Sequence, residues 1–333
     1  MREFQVVNKT YIKSHNSTNT IIARYSYSLI VFTILTIIIN LLLGNKALVI
    51  SLVKSISLSL IITSIFTYLI CLVKKKYNFI KIYTEDTTIA ISLILGLFSV
   101  NIDIYILTLA IILTLFIKNI KKDINISSTL YGILLIILYK YFTNNLNTPL
   151  IMLLNNNYHM TFKELLNLNN GIYNYLFGIN YLSPILSIIM FLYLFHKKGI
   201  KYNLVISYIL TISIIMFLYG ILTNKMWFIL FELSTGSILF LTIYTLTDYK
   251  VTPTIAEAQI LYGLILGIIT AILRFLIPEL SVIIPIIIGE LLLSNYLDKI
   301  SYKLKYNKKL YNTLIIISII LIITTIIILT IIY

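Results

Sequence analysis

Residues 313–333 read TLIIISIILIITTIIILTIIY, an apolar run without a single charged side chain. At about 1.5 Å of rise per residue a helix of that length covers the roughly 30 Å hydrocarbon layer of a bilayer. A transmembrane β-strand would instead alternate apolar and polar residues over roughly ten positions. This run does not alternate, so a membrane-spanning helix is the reading. Working back along the chain, similar apolar segments fall at 26–43, 48–73, 88–100, 103–120, 127–142, 180–195, 203–222, 226–247, 256–277 and 279–297.

The balance of residue types agrees. Of 333 residues, 59% are hydrophobic and 11% are charged, against about 25% charged in a typical soluble domain. Water could not solvate so much apolar surface, whereas acyl chains can, provided that backbone polar groups pair inside helices. Several segments fall short of the about 20 residues a crossing needs. The expected fold is therefore an all-α polytopic membrane protein with about 9–11 transmembrane helices. The excess of Ile, Asn, Lys and Tyr matches an AT-rich coding sequence and carries no functional weight.

A net charge of +14 could suggest nucleic acid, but the basic residues stand in short connections between apolar runs. If every segment crosses, 20 of the 26 cations lie at the N-terminus and in alternate connections, and six lie on the other side. The positive-inside rule makes the first group, which includes Lys74, Lys75, Lys76, Lys197 and Lys201, cytoplasmic. The chain then divides into a cytoplasmic N-terminal segment 1–25, a first membrane half 26–142, an external loop 143–179 and a second membrane half 180–333. Cys71 is the single cysteine, which excludes an internal disulfide and a cysteine-ligated cluster within the chain. No cleaved signal peptide is apparent in the polar first 25 residues.

Each half holds short or interrupted apolar segments flanked by acidic and hydroxyl residues. They are EDTTIAIS (85–92) in the first half and FELSTGS (231–237) with TLTDYKVTP (245–253) in the second. Broken segments at matching places in two halves point to an inverted repeat with a central site. Asp86, Glu232, Asp248, Glu257, Glu279 and Glu290 lie inside or at the edges of apolar runs, where an ionisable group is costly and is a functional candidate by default. Glu232 and Glu290 are the more embedded. Arg274 is expected to pair with Glu279, five residues on. His15, His159 and His196 are too scattered for a metal site, and no phosphate-cradling loop or nucleophile elbow is present.

From Glu232 to Asp298 the chain resembles the C-terminal half of the RnfD/NqrB family. The residues that carry the likeness are Ser234 and Gly236, then Thr247, Asp248, Pro253 and Thr254 in TDYKVTPT, then Tyr262, Gly263 and Gly267 in QILYGLILG, then Pro278, Glu279 and Asp298. Upstream, EDTTIAISLILGL is similar to a second family segment. KKDINISST (121–129) stands where the family has a Gly-rich stretch, with Asn125 retained.

The resemblance implies a membrane subunit of the D type in an Rnf-like ion-translocating electron-transport complex. Such a complex acts as a ferredoxin:NAD or NADH:quinone-type oxidoreductase, and this chain would not be catalytic by itself. The family joins flavin mononucleotide (FMN) through its phosphate to the threonine of a Ser-Gly-Ala-Thr motif. Here YHMTFKELL occupies that place, so Thr161 is the implied attachment point, with His159 and Met160 replacing the small residues before it. Thr247, Asp248, Pro253 and Asn125 are the further cofactor-binding positions that it implies, and a second, non-covalent flavin is also expected. Asp86, Glu232, Asp248 and Glu279 are the expected ion-path residues, for a sodium ion or a proton. Other Rnf/Nqr-type membrane and iron–sulfur subunits would be the partners, in the plasma membrane and without nucleic acid.

Two other classes are weighed. A solute channel or transporter of related inverted-repeat architecture, or a family member that has lost its flavin, would share the helices. An enzyme of envelope polymer assembly rests only on hydrophobicity and one long external loop.

Overall fold

The computed structural model describes residues 18–44, 46–74, 79–96, 104–120, 128–142, 183–224, 226, 228–234, 238–247, 251–276, 280–294, 296–300 and 307–332. Among them every regular element is helical. In chain order these are α1 (Thr18–Leu42), α2 (Lys46–Lys74), α3 (Phe79–Gly96), α4 (Ile104–Ile120), α5 (Ser128–Phe142), α6 (Pro184–His196), α7 (Tyr202–Leu222), α8 (Phe228–Ser234), α9 (Ile238–Tyr244), α10 (Ala256–Leu276), α11 (Ile283–Ile288) and α12 (Lys308–Ile332). A π-helical turn, Gly289–Leu293, directly follows α11.

Five helices, α1, α2, α7, α10 and α12, are long and apolar enough to cross a membrane. The helices follow the apolar segments closely but run further at polar ends. Helix α1 begins at Thr18, inside the segment read as N-terminal, and α3 begins at Phe79, so that Lys81, Glu85 and Asp86 are helical. Hydropathy marks where a helix meets lipid, not where its hydrogen-bonded ladder starts. The run 226–247 holds α8 and α9, with 235–237 between them outside the described residues.

Helix ends carry the expected chemistry. Ser183 caps α6, its Oγ accepting from the Leu186 N–H, with Pro184 in the first turn. Gly44, at φ +81°, turns the chain between α1 and α2.

Helices α1–α5 form one packed group and α6–α12 another. They meet where α1 lies on α6, α3 on α9, and α5 on α11. Every residue of α9 is buried, as are Ala90 to Gly96 of α3. A Cβ on Gly96 would stand 3.2 Å from Leu241 Cδ2. The helix that holds 85–92 and the short helix between 231–237 and 245–253 thus touch in the interior.

The closest helix pair is α7 with α10. Gly263 and Gly267, four apart on α10, face Ser207 and Thr211, four apart on α7. A Cβ at Gly263 would come within 2.8 Å of the Leu204 carbonyl oxygen, and one at Gly267 within 2.7 Å of Thr211 Cβ. Small residues at this spacing let helix backbones approach without a hydrophobic driving force between them. Tyr208 Oη and Thr270 Oγ1, 2.8 Å apart, tie the same pair by a side-chain hydrogen bond. At the periphery, α12 leaves Ile316, Ile317, Ile320, Ile323, Ile327 and Ile328 exposed. That is the face expected of a helix whose solvent is lipid.

Candidate functional site

Asp86 stands at the polar edge of an apolar run in the sequence, where water could reach a side chain. It is fully buried instead. Helix α3 carries it between α2 and α4, where Thr67 Oγ1 donates to Asp86 Oδ2 at 3.0 Å and Lys118 Nζ donates to Oδ1 at 2.6 Å. Glu85 Oε2 is 3.3 Å from the same ammonium. A carboxylate removed from water costs several kcal/mol unless a cation and further donors meet it. Lys118 and Thr67 supply both from two other helices, so this cluster also sets the register of α2, α3 and α4.

The second buried carboxylate is Glu232, in the last turns of α8. Arg274, near the end of α10, donates its Nε–H to Glu232 Oε2, and both side chains are about 1% exposed. Arg274 Nη1 is 3.5 Å from Ser281 Oγ. Glu232 Oε1 is buried without a hydrogen-bond partner among the described residues. The expected local pairing of Arg274 with Glu279 is therefore replaced by one 42 residues apart in sequence. Five residues of helix-end spacing bring two side chains near each other, but the packing of both α8 and α10 on α7 decides which acid the guanidinium reaches.

The third feature is the loop that follows α9. Lys201 Nζ, just before α7, donates to both the carbonyl and the hydroxyl of Thr252, each at 2.7 Å. Asp298 Oδ1 accepts the Thr254 N–H at 3.2 Å. Gln259 Nε2 donates to the carbonyls of Pro253 and Thr254. Thr247 Oγ1 donates to the Ile243 carbonyl and meets the Tyr25 hydroxyl of α1. At the same end, Arg24 donates to the Lys197 carbonyl. The structure thus gathers Arg24 of α1, Lys197 and Lys201 of the α6–α7 connection, and Asp298, all assigned to one side by charge counting, at one end of the helices.

Thr247 and Pro253 turn their polar atoms to protein partners, which does not fit a flavin cradle: a flavin would have to displace Tyr25 and Gln259. Thr161, Asn125, Asp248 and Glu279 lie outside the described residues. Of the expected ion-path residues, Asp86 and Glu232 are described and stand in different helix groups, each against its own cation. Their partners Thr67, Lys118, Arg274 and Ser281 were not expected in that role. Lys118 at a segment end was the one signal available, since it stands where α4 could return its charge to α3.

Buried ion pairs inside apolar helices, with cations gathered at one end, define an all-α polytopic membrane protein with charged groups in its interior. The model of the NQR2, RnfD, RnfE family matches residues 125–290, and the chain is a member of that family, a membrane subunit of the Rnf/Nqr type. No curated protein matches it.

Proposed function

We propose that the chain is the D-type membrane subunit of an Rnf-like complex in the plasma membrane. The complex couples electron transfer between ferredoxin and NAD to the movement of sodium ions or protons. The observation that carries this reading is the pair of fully buried carboxylates, Asp86 and Glu232, inside a chain matched by this family. Ionisable groups at membrane depth are retained where ions or protons pass. Asp86 stands at the lysine-rich end and Glu232 toward the other, so the two are suited to opposite ends of a path, with Asp248 and Glu279 as further members. The N-terminus is cytoplasmic in this reading, as the distribution of Lys and Arg supports.

Iron–sulfur subunits and further membrane subunits supply the electron carriers that the chain lacks. FMN, esterified through its phosphate to the Thr161 hydroxyl in the 143–179 segment, supplies one-electron and two-electron redox chemistry when bound.

The test is purification of the tagged chain from its own membranes. The expected result is co-purification of iron–sulfur and small hydrophobic subunits, with an intact mass raised by one FMN that disappears in Thr161→Ala. A chain that purifies alone, has the bare polypeptide mass and passes a small solute in flavin-free proteoliposomes would replace this reading with that of a channel.

A further inference from the structure

Helix α2 is the least buried of the five spans, and its two faces differ. Ser59, Thr63 and Thr67 are buried on the side that packs against the neighbouring helices. Ile50, Lys54, Ser57, Ile61, Ile65 and Tyr68 are exposed. Steps of three and four residues set them in one line along the helix. A line of this kind fits one further helix laid alongside it, the side chains of each entering the grooves of the other.

Two members of the line are polar. Ser57 Oγ donates to the Lys54 carbonyl at 2.9 Å, so the hydroxyl is met within α2 itself. The Lys54 ammonium has no such local answer. Among the described residues, ion pairs are formed by Lys118 and Arg274 and none by Lys54. Lys54 stands about 12 Å along the axis from Lys46, at about 1.5 Å of rise per residue. Further out, toward the turn at Gly44, Ile50 of α2 and Ile38, Leu41 and Leu42 of α1 are exposed, Leu42 at 82%. Such a group of apolar side chains is suited to lipid or protein, so the apolar layer extends past Lys54. A charged side chain at that depth is costly unless an opposite charge or water meets it, and such residues turn to protein in preference to acyl chains.

We propose that this line on α2 is the docking face for a transmembrane helix of another membrane subunit, one that carries an aspartate or glutamate level with Lys54. The proposal rests on the reading of this chain as one subunit of a larger membrane complex. The carboxylate neutralises the ammonium, and apolar neighbours strengthen the attraction between them. Small Ser57, one turn away, lets the arriving helix come close. A second copy of this chain is disfavoured as the occupant, because a two-fold pair along the line would set Lys54 against Lys54 at one depth.

The test is photo-crosslinking in native membranes, with benzoylphenylalanine at Ser57 of the tagged full-length chain and, as the control, at Ile320 on the exposed face of α12. The expected result is a Ser57 adduct, identified by peptide mass, to a transmembrane helix of another subunit that holds an acidic residue. Recovery of that subunit with the tagged chain should fall at least about tenfold in Lys54→Gln and persist in Lys54→Arg. Lys54→Glu should regain it when the acid on the other helix is changed to lysine. Unchanged thermostability of the solubilised Lys54→Gln chain separates lost docking from lost folding. Adducts to lipid alone, to a second copy, or to a helix without an acid overturn the proposal, as does wild-type recovery in Lys54→Gln. Membrane subunits that co-purify without a Ser57 adduct overturn the docking face and leave the reading as a subunit standing, whereas a chain that purifies alone overturns both.

Discussion

Arg274 of α10 and Glu232 of α8 bind each other in an interior that excludes solvent from both. Removing one member leaves an uncompensated buried charge, at a cost of about 3–5 kcal/mol. Arg274→Met is therefore expected to lower the unfolding temperature sharply in gel-filtration thermostability measurements. The double variant Glu232→Leu with Arg274→Met should regain most of that loss. Equal instability of the single and double variants would show that the charges do not compensate each other.

The Asp86 cluster predicts an asymmetry. Lys118→Met strips the cation from a carboxylate with no exposure and should cost about 3–5 kcal/mol. Asp86→Asn should cost less, because the amide oxygen still accepts from Thr67 and the ammonium keeps Glu85 at 3.3 Å. The same thermostability assay ranks the two variants, and the reverse order would count against the assigned contacts.

Gly263→Ala should destabilise the α7–α10 pair by about 1–3 kcal/mol. Ser207 Oγ can rotate away from the new methyl group, but the Leu204 carbonyl at 2.8 Å is backbone and cannot. Gly199→Ala is the comparison. Its added methyl would meet only Leu194, at 3.3 Å for the nearest side-chain atom, and the variant should behave as wild type.

Sidedness is open to direct labelling, since Cys71 is the single cysteine. In a Cys71→Ser background, Lys198→Cys and Asn224→Cys place thiols just beyond opposite ends of α7. An impermeant maleimide should reach Asn224→Cys in intact cells and Lys198→Cys only after permeabilisation. The opposite pattern would invert the proposed orientation.

The helices were legible because lipid demands continuous apolar runs, and the structure has a helix or helix pair for each run. Which face of each helix turns inward was not. Helices such as α12 are apolar all round, so periodicity carries no direction. The partners of Asp86 and Glu232 followed from that missing information: Thr67 and Lys118 stand on neighbouring helices, and Arg274 passes over its near acid for a distant one. Gly263 and Gly267 were visible as part of a motif, yet their purpose, contact with Ser207 and Thr211, needed the packed pair. Glu290 was recognisable as an embedded acid, but nothing in GELLL announces a π turn or the close approach of Gly289 to Tyr262.

The α7–α10 pair also bears on how the molecule can move. With backbones in contact at Gly263 and Gly267 and a hydrogen bond at Tyr208, the two long helices can neither slide nor separate without breaking several contacts at once, and they act as a single stiff beam. Beside it the seven-residue pieces α8 and α9 both pack on α7. Glu232, carried on one of these pieces and held by Arg274 on the beam, ties the short helix to the stiff pair.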